Sequence, residues 1–262
     1  MIVFKTWNTP GDFNMALDVE LGNLSYELKE PILRLYTWEK PTLSFGRHQR
    51  LWGINWDFVR AFSIPCVRRP TGGRCVLHHR EITYSIAIPE GHDLYNLKVL
   101  EIYNVISVAI MDSLRDLGIE VKKDKGRRDN TPFCFKAPSI YEITLNGKKL
   151  VGSAQFRTRE FVLQHGSIIL DYDEELLAEI FNMSVSEVER SIIGIWNVVQ
   201  VPFEEIVTSL KRSFEKILGS RKERDLPGRI VRRARERAEK YIVCGSGEIG
   251  ETLHSWNTDR KS

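Results

Sequence analysis

The chain has 262 residues, 42% of them hydrophobic and 28% charged, which suffices for a packed core and excludes wholesale disorder. Lysine and arginine number 38 against 35 aspartate and glutamate, giving a net charge of +3 and a pI near 8.6. So slight an excess argues against a dedicated nucleic-acid binder, which would carry a larger and more clustered one, and it suits a partner with an acidic face.

In chain order, Ile2–Trp7 reads as a short strand, and Pro10-Gly11-Asp12 breaks it and opens a helix through FNMALDVELGNLSYEL. The apolar positions of that helix do not choose cleanly between periods. Ile32–Trp38 and Thr42–Gly46 are predicted strands parted by Glu39-Lys40-Pro41, and 55–62 a short helix. Ile82–Ile88 is the clearest strand of the first half, rich in β-branched residues and ended by Pro89. Val99, Ile102, Ile106, Ala109, Ile110 and Leu114 recur at helical spacing and stop at Gly118. Ile119–Val121 opens a further strand. Asn146-Gly147 marks a hairpin between 140–145 and 149–156, and 161–170 extends it to an antiparallel meander. Helices are predicted over 174–181, over 203–217 with Phe203, Ile206, Leu210 and Phe214 on one face, and over 229–241.

No composition shift precedes the Arg/Lys/Glu-rich stretch after Ser220. The expected fold is therefore α+β: a single domain with a central mixed or antiparallel sheet flanked by helices, its core over about 1–218 and a helical C-terminal extension over about 219–262. The start MIVFKTWNTPGDFN has no signal-peptide core, and nowhere do about 18 apolar residues run together. A soluble chain in a reducing cytoplasm is the expectation. The four cysteines, Cys66, Cys75, Cys134 and Cys244, form no C-x-x-C, which argues against a zinc site or a disulfide framework.

Chemistry concentrates in two segments. RRPTGGRCVLHHREITYS (68–85) gathers Arg68, Arg69, Arg74, His78 and His79 around Thr71-Gly72-Gly73. Adjacent glycines let a backbone approach an anion or carbonyl, and arginines beside them can fork a phosphate or carboxylate. Neither a Walker loop nor a dinucleotide fingerprint is present, and the segment reads equally as a Gly-Gly turn in a basic surface loop. In the second segment Lys149 enters a strand with three small residues, Gly152, Ser153 and Ala154, that leave room for a ligand. It can serve as a point charge on an acyl carbonyl or phosphate, or be an ordinary solvated lysine at a hairpin end. His165-Gly166 interrupts an apolar strand, either lining the same cleft or as a satisfied buried histidine. Cys134, between Pro132 and Pro138, is either an activated thiol or a small buried hydrophobe; Cys66, Cys75 and Cys244 fit the second description.

RRPTGGR with CVLH and ITYS, then GKKLVGSAQ (147–155) and QHGSI (164–168), together with FNMALD (13–18) and TLSFG (42–46), resemble the signatures of the lipoate and biotin protein ligase and transferase superfamily over roughly 1–172. The biotin branch is disfavoured by the lack of a G-R-G-R-x-x-x-x-W stretch. CFKAPSIYE (134–142) is similar to the cysteine-dependent octanoyltransferases of the Gram-positive type, in which that cysteine carries the acyl group. Cys75 and His79 depart from the family pattern, where alanine and an acidic residue are usual.

That resemblance implies an octanoyltransferase working through a Cys134 thioester, with Lys149 on the thioester carbonyl. Arg69, Thr71, Gly72, Gly73, Arg74, His78, Gly152, Ser153, Ala154, His165 and Gly166 would bound the acyl pocket, with no metal and no cofactor. The implied partners are octanoyl-acyl carrier protein and a lipoyl-accepting protein, either glycine cleavage H protein or a lipoyl domain; neither nucleic acid nor membrane is expected. The alternative is a lipoate–protein ligase using ATP and Mg²⁺ to form an acyl-adenylate. The chain has no room for the extra C-terminal domain of about 80–100 residues that many such ligases carry. A non-catalytic module binding nucleic acid through 211–240 is a third reading. It is opposed by the acids Glu223, Asp225, Glu236 and Glu239 interleaved there.

Overall fold

The computed structural model describes residues 1–123 and 142–244. The first of these stretches folds into β1 (Ile2–Thr9), α1 (Gly11–Leu28), β2 (Ile32–Trp38), β3 (Thr42–Phe45), α2 (Trp56–Ala61), β4 (Cys66–Arg68), β5 (Val76–His78), β6 (Glu81–Pro89), α3 (Val99–Asp116) and β7 (Lys122–Lys123). The second forms β8 (Ile143–Leu145), β9 (Lys148–Arg157), β10 (Phe161–Ile169), α4 (Glu174–Phe181), α5 (Val185–Ser191), α6 (Phe203–Leu218), β11 (Lys222–Glu223), α7 (Gly228–Ala238) and β12 (Ile242–Cys244).

Among the described residues the strands make two sheets. The larger runs β11-β1-β2-β6-β10-β9-β8-β7, and the smaller β12-β4-β3-β5. β1 pairs in parallel with β2 and β11, and the ladder from β2 through β6, β10, β9 and β8 to β7 is antiparallel. The expected mixed sheet flanked by helices is thus present, accompanied by a second, smaller one. Asn146 and Gly147 both take positive φ (52° and 76°), as a type I′ turn requires, and the meander follows the predicted order.

Side-chain alternation divides the large sheet between two cores. Val3, Leu33, Leu35, Ile82, Ile86 and Val162 face α3 and α6; Ile2, Phe4, Ile32, Ala87, Phe161 and Leu163 face α1 and α7. The helical stripe read from Ile102, Ile106 and Leu114 is indeed the buried one. A third core joins the small sheet to α2, α4 and α5 through Leu43, Phe45, Val59, Leu177, Phe181 and Val188.

Three local expectations differ from the structure. Ile119 and Val121 are not in a strand; both side chains are buried in the α3 core, and the ladder begins only at Lys122. The last helix ends its α-helical part at Ala238 and finishes as a 3-10 turn over Glu239–Tyr241. Helix α5 was not anticipated, although Ser184 and Glu187 close a capping box at its start.

Candidate functional site

One sheet face changes character along its length. On the α1 side, Ile32, Ala87 and Leu163 are core, while residues at the same two-residue period further along are polar: Arg34 and Tyr36 on β2, Ser85, Thr83 and Glu81 on β6, His165 and Ser167 on β10. A cavity of about 220 Å³ opens over this polar half, closed from the other side by β5 and the loop before it. Lys149, His78, His165, Gly152, Ala154 and Gly166 line it, as do Ser153, Arg69, Gly73 and Arg74.

The floor is a buried charge cluster. Arg34 donates through Nη1 to Asp18 Oδ1 at 2.8 Å and through Nε to Thr6 at 2.9 Å, and its other terminal nitrogen donates to the Asn14 side chain. Asp18 Oδ2 accepts from the Tyr36 hydroxyl (3.1 Å) and from His165 Nδ1 (2.9 Å), and Thr71 Oγ1 lies 2.7 Å from His165 Nε2. Burial would raise the Asp18 carboxyl, but the His165 hydrogen bond and the Arg34 charge outweigh it and hold the group below its ordinary range. Burial also pushes His165 down, against the pull of Asp18. The ring is therefore neutral, with its proton on Nδ1 and its Nε2 accepting from Thr71. Asn14 and Asp18 also explain the blurred period of α1: these two polar residues are buried together with its apolar ones, Leu17, Leu21 and Leu24.

A second carboxylate organises the roof. Glu81 Oε1 accepts from Ser167 (2.7 Å), Thr83 (2.5 Å) and Trp38 Nε1 (3.2 Å), and faces His78 Nδ1 at 2.8 Å. Burial opposes ionisation of Glu81, but its contact with His78 and the hydrogen bonds from Thr83 and Ser167 lower its pKa. The His78 ring stacks on Trp38 at 3.9 Å and 7°.

Lys149 owes its direction to a bulge. The β8–β9 register steps from Ile143↔Val151 to Thr144↔Lys149, so that Leu150 is an extra residue, and Leu150 and Val151 both enter the α3 core. The step returns Lys149 to the cavity face. Its Nζ lies 2.8 Å from Glu142 Oε1, the pair being 7% and 1% exposed. A Cβ on Gly152 would stand 2.6 Å from Lys149 Cε and 2.8 Å from Nζ, so the ammonium lies across the space that glycine leaves. Lys149 is thus a held cation and not a solvated hairpin lysine.

The Gly-Gly loop is braced from within. Arg69, 5% exposed, donates to the carbonyls of Gly72 (2.9 and 3.1 Å), Arg74 (2.7 Å) and Ser44 (2.6 Å). It shapes the loop more than it offers a fork to a ligand. Gly73 has φ +97°, a conformation closed to most side chains, and Gly72 is exposed at the rim. Thr71 is fully buried behind the cavity on His165, and Ser153 turns its hydroxyl away to Tyr84 at 2.7 Å; burial pushes the Tyr84 phenol up to about 12. Cys66 and Cys75 are buried in the small-sheet core, while Cys134 lies outside the described residues. Asp18, Glu81 and Glu142 lie within the motifs FNMALD, RRPTGGRCVLHHREITYS and CFKAPSIYE but were given no role there, and Arg34 lies outside them. Their one signal was an acid or base inside an otherwise apolar run.

The family model for the lipoyl protein ligase A/B catalytic domain matches residues 10–215. The chain belongs to this lipoyl ligase family. Within it, the octanoyltransferase LipM of Halalkalibacterium halodurans is 39% identical over 225 residues, 78% of this chain and 82% of that one. The octanoyltransferase LipM of Kyrpidia tusciae is 38% identical over 252 residues, covering 88% and 90%. A crystal structure of lipoate–protein ligase A bound with ATP superposes with a TM-score of 0.76 at 21% identity, over 91% of this chain and 93% of that one. At that identity the superposition shows the lipoyl ligase fold and nothing finer. No helix among the described residues is long and apolar enough to cross a membrane.

Proposed function

We propose that this protein is an octanoyltransferase of lipoate biosynthesis, moving an octanoyl group from a thioester donor to a lysine ε-amine. The observation that carries the reading is the match, at 38–39% identity, to octanoyltransferases over 82–90% of their own length. In this reading Cys134 takes the acyl group from octanoyl-acyl carrier protein by thioester exchange, and the acceptor lysine of a lipoyl domain or glycine cleavage H protein then takes it as an amide. Both steps begin from an activated acyl group, so neither ATP nor a metal ion is needed.

The assignment of Cys134 rests on the resemblance of CFKAPSIYE; Glu142, which holds Lys149, closes that same motif. Lys149, held beside Glu142 with little of its side chain exposed, is suited to the oxyanion that forms when either nucleophile attacks. Gly152, Ala154, Gly166 and the Gly-Gly loop bound the space for the acyl group. A thiol that cycles through a thioester suits a reducing cytoplasm.

Intact-mass measurement after incubation with octanoyl-acyl carrier protein, in EDTA and without ATP, tests this. The wild type should gain one octanoyl group and pass it to a lipoyl acceptor, and Cys134→Ala should gain none. ATP- and Mg²⁺-dependent attachment of free lipoate that survives Cys134→Ala would overturn the reading in favour of a ligase.

A further inference from the structure

Three histidines line the cavity, His78, His79 and His165, and the two held by carboxylates, His78 and His165, are not equivalent. Both nitrogens of His165 are engaged, Nδ1 by Asp18 and Nε2 by Thr71. His78 is held on one side only. Its Nδ1 sits 2.8 Å from Glu81 Oε1 and 3.0 Å from Ser167 Oγ, and its ring is clamped against Trp38. Its Nε2 makes no hydrogen bond among the described residues, and the ring borders the cavity. With Glu81 ionised, the imidazole proton belongs on Nδ1, which leaves the Nε2 lone pair toward the cavity. A carboxylate that fixes tautomer and tilt, with the far nitrogen open, is the arrangement of a general base.

Its position suits a nucleophile arriving near Lys149. Ser167, which touches His78, is the cross-strand partner of Gly152, over which the Lys149 ammonium lies. Directly opposed side-chain positions stand about 5 Å apart, so His78 and Lys149 face one part of the cavity. The charged and titratable groups around the His78 cavity are Glu81 on β6, Tyr36 on β2, His165 on β10 with Asp18 beneath it on α1, Lys149 on β9 with Glu142, Asp171, Tyr172 and Asp173 after β10, and Arg69, Arg74 and His79 on the strand's own segment.

We propose that His78 is the general base for transfer to the acceptor amine, with Glu81 as its positioning residue; this rests on the octanoyltransferase reading above. The neutral acceptor amine attacks the carbonyl carbon of the acyl-enzyme thioester. The C–N bond forms as the carbonyl π pair moves to oxygen, which faces the Lys149 ammonium. The nitrogen gives a proton to His78 Nε2. The oxyanion collapses, the C–S bond breaks, and sulfur leaves with the electron pair as thiolate, which the imidazolium reprotonates. Thioester and amine become amide and thiol, with no other reactant.

Single-turnover transfer from octanoylated protein to a lipoyl domain tests the proposal in wild type, His78→Gln, His78→Gly and Glu81→Gln, with circular dichroism and a cooperative thermal melt reporting that each variant is folded. We expect transfer to fall about a hundredfold in His78→Gln, the usual order for a lost general base. We also expect the acid limb of its pH profile to vanish in both histidine variants and to shift in Glu81→Gln, and added imidazole to restore transfer in His78→Gly. Wild-type transfer rates in His78→Gln, or a retained acid limb with no response to imidazole, overturn the proposal. If the histidine variants do not fold, wild-type transfer in D₂O decides: slowing supports a proton transfer in the limiting step, and an unchanged rate overturns it. A wild type that takes up no octanoyl group would instead overturn the octanoyltransferase reading itself.

Discussion

At Gly152 a single missing methyl group decides where a charge sits. The Lys149 side chain crosses the position a Cβ would occupy, and what a new methyl group would strike is the flexible end of that lysine. Gly152→Ala should therefore leave the fold intact and push the ammonium away from Glu142. Transfer is expected to drop by about tenfold or more, approaching the loss of about 100-fold seen when an oxyanion-stabilising group is deleted, with the melting temperature nearly unchanged. Parallel kinetic and thermal-melt measurements check this, and an unchanged kcat would show that the position of Lys149 is not critical. The residues named from motifs, Lys149, His78, His165 and the small residues 152–154, do meet in one cavity. The roles of their partners Asp18, Glu81 and Glu142 were not legible, although each lies in a quoted segment, because an acid's partner has no meaning until the strand beside it is known.

At the scale of elements, α5 shows how a short, unassuming segment supports the site. Ser184 accepts from the Glu187 backbone N–H and Glu187 reaches back to the Ser184 N–H. Just past the helix, the Ile193 N–H donates to the Lys149 carbonyl at 3.0 Å. Ser184→Ala should cost about 1 kcal/mol, typical of a lost N-cap. It should lower the urea midpoint at constant slope and speed amide exchange at Ile193; an unchanged midpoint would show that the cap does not stabilise the fold. The long elements were legible from pattern: β6, α3, α6 and the meander carry strong periods or a decisive Asn-Gly turn. β4, β5 and β11, of two or three residues each, were not, since so short a strand exists only by virtue of its partner.

Over the whole molecule, the buried ionisable groups set a stability profile with two stages. His165, held below its ordinary 6.5 by burial, stays neutral in the fold while the unfolded chain takes up a proton, so stability begins to fall as pH drops below about 6.5. Asp18 and Glu81 titrate below their ordinary 3.8 and 4.5; the stability they confer is complete above those values and lost as pH falls through the lower folded-state ones. The partly exposed His79 and His92, also shifted down, add to the first stage. Urea midpoints measured from pH 8 to pH 4 should decline first near 6.5 and more steeply below about 4.5. A flat profile down to pH 5 would mean that His165 is not buried as a neutral ring.

The sequence by itself determined the fold class, the long elements, the antiparallel meander and the family, because periodicity and turn chemistry are local and the motifs are contiguous. Only the tertiary structure decided which chemistry faces which. The bulge at Leu150 turns Lys149 into the cavity, and strand register sets Ser167 opposite Gly152. The crossing of α1 over β2 pairs Asp18 with Arg34 and His165. These relations depend on a one-residue step in register or on the packing of α1 against strands up to 147 residues away, and a shift of one residue would reverse every face.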